Sequence, residues 1–167
     1  MPANIIRQLN MIPHPEGGSF VESYRANGLI PARALPDGFS GDRSYSTAIY
    51  FLLEGGQKSH LHRIRQDETW HFYLGDPLRL VMIGPSGDPS EIILGQDILA
   101  GQHLQYTVPA GVWFGATPAP GAIYSLVGCT VAPGFDFADF ELASGTELKK
   151  AWPSISGLIS EFVLPGK

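Results

Sequence analysis

Apolar residues fall in short runs along this chain, alternating with polar ones and broken by turn-forming residues. The runs Tyr45–Leu53, Lys58–Ile64, Glu68–Leu74, Leu78–Ile83, Glu91–Leu94, Leu104–Val108, Val112–Ala116 and Ile123–Val131 read as β-strands. Ser19 to Arg25 alternates as well, with Phe20 on one face and Ser19 and Val21 on the other. Turn chemistry fills the gaps, as in Glu54-Gly55-Gly56, Gly75-Asp76-Pro77 and Pro109-Ala110-Gly111. The ends differ. Asn4 is placed to cap a short helix with Ile5, Ile6 and Leu9 on one face, ended by Pro13 and Pro15. Ser144-Gly145-Thr146-Glu147 has the form of a capping box and predicts a helix to about Ala151, with further helical turns within Ile155–Phe162 after Pro153. Evenly spaced short strands with helical ends predict an all-β jelly-roll barrel. It forms one domain, with its core at about 18–142 and a helical tail at about 144–162.

Composition narrows the setting. The 14 prolines and 20 glycines suit a turn-rich β fold, and a net charge of −5 without a basic stripe argues against nucleic acid or an anionic membrane as partner. No apolar run is long enough to span a bilayer, and the start of the chain lacks the pattern of a secretion signal. The single cysteine, Cys129, lies in an apolar run, reads as a buried small hydrophobe, and fits a reducing, cytoplasmic compartment. The Gly-, Pro- and Ala-rich stretch from Asn27 to Gly41 reads as a long surface loop, of the kind that serves as a lid or an arm to a second subunit.

Candidate chemistry concentrates between Gly56 and Gly75, where three of the five histidines lie. His60 and His62 are two apart, so a strand points both to one face. A turn at Arg65-Gln66 would form a hairpin and set Glu68 beside them on the neighbouring strand. Two imidazoles and a carboxylate on one face can hold a divalent metal or move a proton. Trp70 and Phe72 share the face of Glu68, while His71 falls on the opposite one and reads as structural or interfacial. Of the adjacent Trp113 and Phe114, only one can face inward. His14 and Glu16, among prolines and glycines, sit where a turn folds over a barrel mouth or simply stays rigid. Asp136 and Asp139 read as part of a loop that packs aromatics on the exterior.

These residues resemble the first motif of the cupin superfamily: Gly55 or Gly56, then His60, His62, Glu68 and Gly75. Gly101, Pro109 and Gly111 resemble the second motif, but Trp113 or Phe114 stands where cupins carry a histidine, so the usual fourth metal ligand is missing. A narrower resemblance, to the type-five cupins, runs along nearly the whole chain. It includes Pro13-His14-Pro15-Glu16-Gly17-Gly18, Thr47 to Leu53, Ser59 to Arg63, Asp67-Glu68 with Trp70 to Tyr73, Val108 to Gly115 and Val127 to Phe135. It implies a small jelly-roll barrel, a homodimer, and no particular reaction. Gly17 to Tyr24 and Leu61-His62 are also similar to segments of the dTDP-sugar epimerases, with Gly17 where those enzymes have an arginine.

The expected site therefore has His62 as base, Glu68 orienting it, and Tyr124 as a proton donor on the epimerase analogy. His60, Trp70, Phe72, Gln105, Trp113 and Phe114 line the pocket, and His60, His62 and Glu68 are the ligands if a divalent metal binds. Three readings stay open: an isomerase or epimerase on a sugar-like or carbonyl compound, a non-catalytic module that binds a small ligand, and an iron- or manganese-dependent oxygenase.

Overall fold

The computed structural model describes residues 1–166. The chain runs α1 (Pro2–Gln8), β1 (Ile12–Pro13), β2 (Ser19–Arg25), β3 (Leu29–Ile30), β4 (Arg43–Ser44), β5 (Thr47–Glu54), β6 (Ser59–Arg63) and β7 (Glu68–Gly75). It continues through β8 (Leu78–Ile83), β9 (Pro89–Leu94), β10 (Gln105–Val108), β11 (Trp113–Pro118), β12 (Tyr124–Val131), β13 (Glu141–Leu142), α2 (Gly145–Ala151) and α3 (Ser156–Phe162). One sheet has the order β1-β2-β5-β12-β7-β10 and the other β13-β6-β11-β8-β9. They face each other as the expected jelly roll, and among the described residues the two sheets do not join into one closed barrel. Within the Asn27–Gly41 loop lies β3, which pairs with β4 just after the loop as a separate ribbon. No described helix is long and apolar enough to cross a membrane.

Side-chain alternation divides the apolar residues among three layers. Phe51, Leu53, Trp70, Phe72, Leu80, Met82 and Phe114 fill the space between the sheets. Leu61, Val81, Ile83 and Trp113 point the other way and pack on Leu148, Ile159 and Phe162 of α2 and α3. Leu52 and Leu126 lie beneath Ile5, Ile6 and Leu9 of α1. Residues 48–53 of β5 and 80–83 of β8 therefore read as unbroken apolar runs because both of their faces are covered. The Ser144 side chain caps α2 by accepting from the Glu147 N–H at 3.3 Å. Asn4 does not cap α1, which begins at Pro2, because proline's fixed φ suits a first helical turn.

The predicted hairpin between β6 and β7 does not form. Strand β6 pairs with β11 and β13, whereas β7 pairs with β12 and β10 in the opposite sheet. Residues 64–67 cross from one sheet to the other. Gln66 anchors the crossing: its side-chain amide donates to Asp139 Oδ2 at 2.8 Å and to the Gly134 carbonyl at 3.3 Å. Asp139 is buried, contrary to its exterior reading, because it also accepts from Arg43 Nε and Nη2, each at 2.7 Å.

Asp139→Ala leaves the buried Arg43 guanidinium uncompensated. Urea unfolding should show a loss of about 3–5 kcal/mol. Glu141→Ala, which removes the exposed partner of Arg63, should cost no more than about 1 kcal/mol.

Candidate functional site

The segment His14-Pro15-Glu16-Gly17-Gly18 links β1 to β2 and lies over the start of β6. The Glu16 carbonyl accepts from the His60 backbone N–H at 2.8 Å and from His60 Nδ1 at 2.6 Å. Gly17 has φ +110°, and a Cβ there would strike the Lys58 carbonyl oxygen; at Gly18, φ +74°, it would meet the Leu52 carbonyl oxygen at 2.8 Å. Two glycines are needed for the turn to approach the strands this closely.

This turn carries the Glu16 side chain inward. Its Oε1 accepts from Ser59 Oγ at 2.8 Å, and its Oε2 lies 3.0 Å from His62 Nε2 and 3.6 Å from His14 Nδ1. His62 Nδ1 donates to the His60 carbonyl at 2.8 Å, which leaves Nε2 to face Glu16 without its own proton. Burial pushes the Glu16 carboxyl well above its usual range, and the Glu68 charge pushes the same way. Burial lowers His62 to about 3, against the opposing hydrogen bond to the His60 carbonyl. The pair is thus neutral, with Glu16 O–H donating to His62 Nε2.

Glu68, at the start of β7, is the second carboxyl group here. Burial raises it to about 7, with the Cys129 thiol pulling the other way. Burial also raises the Cys129 thiol, so it stays protonated. His14, Glu16, His62, Glu68 and Cys129 all face one cavity of about 280 Å³. Phe20, Phe51, Phe135, Phe137 and Phe140 give it aromatic walls, and the exposed Glu22, Arg25 and Asp136 mark its mouth. The volume is at the small end of ligand pockets, and the mix of apolar walls with few polar groups is typical of them.

The expected site residues separate. His62 and Glu68 line the cavity, although they come from opposite sheets. His60 stays out of it, its ring spent on the Glu16 carbonyl. Trp70, Phe72 and Phe114 pack in the core between the sheets, and the Phe114 ring lies 4.1 Å from that of His62. Trp113 faces α2 and α3, with Arg63 4.4 Å over its ring. Gln105 is exposed on the edge strand β10, so it cannot reach the pocket. Tyr124 lies on the outer face near α1, because inward positions on β12 fall to Val127 and Cys129. Glu16 and the cavity role of His14 escape strand parity because both sit in a turn; their signals are the proline- and glycine-rich setting and the family resemblance at Pro13 to Gly18. Phe135, Phe137 and Phe140 line the cavity instead of packing on the exterior.

The donors do not make the metal centre that the cupin motifs imply. Among the described residues, no group of three or more His, Cys, Asp or Glu side chains converges as ligands. Each nitrogen of His62 already faces a protein partner, His60 Nδ1 is held by a carbonyl, and the residue across the strand pair from His62 is Phe114, which offers no donor.

A jelly roll with a ligand-sized cavity between its sheets is an architecture that cupins share. The profile described as Cupin superfamily (DUF985) matches residues 3–143, and the chain belongs to that family. It is 37% identical to Protein SO0799 from Shewanella oneidensis, with TM-score 0.85 over 97% of this chain and 96% of that one. It is 35% identical to a hypothetical protein from Leishmania major, with TM-score 0.87 over 96% and 97% of the two chains. The uncharacterized protein YML079W of Saccharomyces cerevisiae is 27% identical over 86% of this chain and 75% of its own length.

The titrations have opposite consequences for stability. Glu68 holds its proton to about pH 7 in the fold, against 4.5 when free, so its contribution is full below about 4.5 and is lost as pH rises to about 7. His14 at about 4 and His62 at about 3 resist protonation, so theirs is full above 6.5 and is lost as pH falls towards those values. Unfolding free energies of the wild type and Glu68→Gln, measured from pH 4.5 to 8, should diverge. Glu16, His14 and His62 titrate in both proteins, so the wild type should lose stability relative to the variant between about 4.5 and 7; parallel curves would refute the assignment.

Proposed function

We propose that this cupin is a small-molecule isomerase of the epimerase type, moving a proton at carbon next to a carbonyl of a sugar-like compound. What carries the reading is the pairing of Glu16 with His62 at 3.0 Å in the cavity that Glu68 also enters. Two acids facing one cavity, one hydrogen-bonded to His62 and the other not, suit donor and acceptor roles. Glu68, poised at about 7, is the base: it takes the proton from carbon and becomes neutral. The Glu16 carboxyl supplies a proton to the resulting enolate, and the Ser59 hydroxyl, which donates to Glu16 Oε1 at 2.8 Å, steadies the charge left on Glu16. Aromatic walls exclude water that would otherwise compete for these protons. The base assignment thus moves from His62 to Glu68, because Glu16 already caps His62 Nε2.

The test is proton exchange in D2O, followed by NMR, across a panel of ketoses, aldoses and lactones. One or more compounds should exchange the hydrogen next to the carbonyl with the wild-type protein. Glu68→Gln should slow this by about 100-fold or more, the scale of general acid–base catalysis. Compounds that bind without any exchange would make the protein a non-catalytic binding module and overturn the proposal.

A further inference from the structure

We propose that His14 Nε2–H is the carbonyl-recognising donor of this cavity, and that its ligand is an unphosphorylated, uncharged carbonyl compound. The inference rests on the preceding reading only in taking this cavity as the ligand site. His14 Nδ1 accepts the Glu16 backbone N–H at 3.2 Å, so the ring's proton resides on Nε2. No protein group accepts from that nitrogen in the described structure, although the His14 side chain is only 7% exposed and lines the cavity. Nε2 is open to the cavity rather than sealed from it, so a ligand oxygen entering there would meet a free donor.

Aromatic rings hold this imidazole in place. Phe20 meets it edge to face with centroids 4.6 Å apart, and Phe51, Phe137 and Phe140 lie 5.9 Å away. Burial lowers its pKa to about 4, so it remains neutral at physiological pH. A neutral N–H pre-aimed into an apolar cavity can stabilise negative charge growing on a carbonyl oxygen without reorganising.

The charges around the cavity exclude phosphate esters. Glu16, Glu22, Glu68 and Asp136 face it, against Arg25 as the one permanent cation among the lining residues. Arg25 Nε and Nη2 are already bound by the two oxygens of Glu22 at 2.9 and 2.7 Å, and Nη2 also donates to the Phe135 carbonyl at 3.1 Å. A phosphate would meet carboxyl groups with no free guanidinium fork to receive it.

Two measurements on the full chain test this. Nitrogen-15 NMR of the histidine rings at pH 7 should show His14 with Nδ1 unprotonated and Nε2 protonated; the reverse tautomer overturns the proposal. Calorimetric titration with unphosphorylated pentuloses, hexuloses and aldonolactones, and with their phosphate esters, tests the ligand class. At least one unphosphorylated compound should bind, and its phosphate ester should not. His14→Phe, which keeps an aromatic ring in the cage, should weaken that binding about tenfold, the scale of one buried hydrogen bond. Unchanged affinity in a folded variant, preference for the phosphate esters, or no binding across the panel would each overturn the proposal. Binding that depends on His14 without exchange at carbon would sink the isomerase reading and leave this recognition standing.

Discussion

The Glu16 carbonyl oxygen, holding both the backbone N–H and Nδ1 of His60, is the attachment on which the cavity depends. It pins the turn between β1 and β2 to the opposite sheet. From that fixed point the Glu16 carboxyl reaches Ser59 and His62, and His14 reaches the Phe20 edge. His60 thus does its work from outside the cavity. It holds Glu16 through its own ring and fixes the His62 tautomer through its own carbonyl. Second-layer bonds of this kind set the geometry of reacting groups more tightly than packing alone.

Desolvation is the common cause of the site's electrostatics. Glu16, Glu68, His14 and His62 are all driven towards their neutral forms by burial among phenylalanines, and no buried cation opposes it. The contrast lies in Asp139. It is equally buried, yet Arg43 binds both of its oxygens, and it serves the crossing between β6 and β7. One fold therefore uses buried carboxyl groups in two ways. Asp139 has a guanidinium and is structural; Glu16 and Glu68 lack one, and burial raises both above the usual carboxylate range.

Most of the fold was legible because alternation and turn chemistry are local. Predicted and observed limits agree for Ser19–Arg25 and Leu78–Ile83, and Glu68–Gly75 runs one residue beyond expectation. The partner of a strand is not local. The link at 64–67 has a length that suits a hairpin, but the same length also spans the gap between sheets. Glu68 still reached the cavity, because inward parity survives a change of sheet. Parity failed where the chain leaves the strands. His14, Glu16 and Phe135 to Phe140 sit in loops, whose contribution to a pocket depends on tertiary placement. Gln105 failed for another reason: β10 is an edge strand, and the register opposite His71 leaves it in solvent. Tyr124 was assigned by analogy without a motif to fix its face, and the register of β12 turns it outward.

The missing motif-two histidine has a positive consequence as well as a negative one. Phe114 stands directly across the strand pair from His62, and its ring lies 4.1 Å away. An imidazole at that point could share a metal with His62. A phenyl ring there instead removes water from one face of His62 and supplies no charge. Restoring histidine at 114 alone would not rebuild a metal centre, because His62 would still spend Nδ1 on the His60 carbonyl and Nε2 on Glu16. The turn from His14 to Gly18 would have to withdraw as well. In this chain the aromatic replacement and the glycine-supported turn are one arrangement, exchanging a place for a cation for a buried carboxyl that keeps its proton.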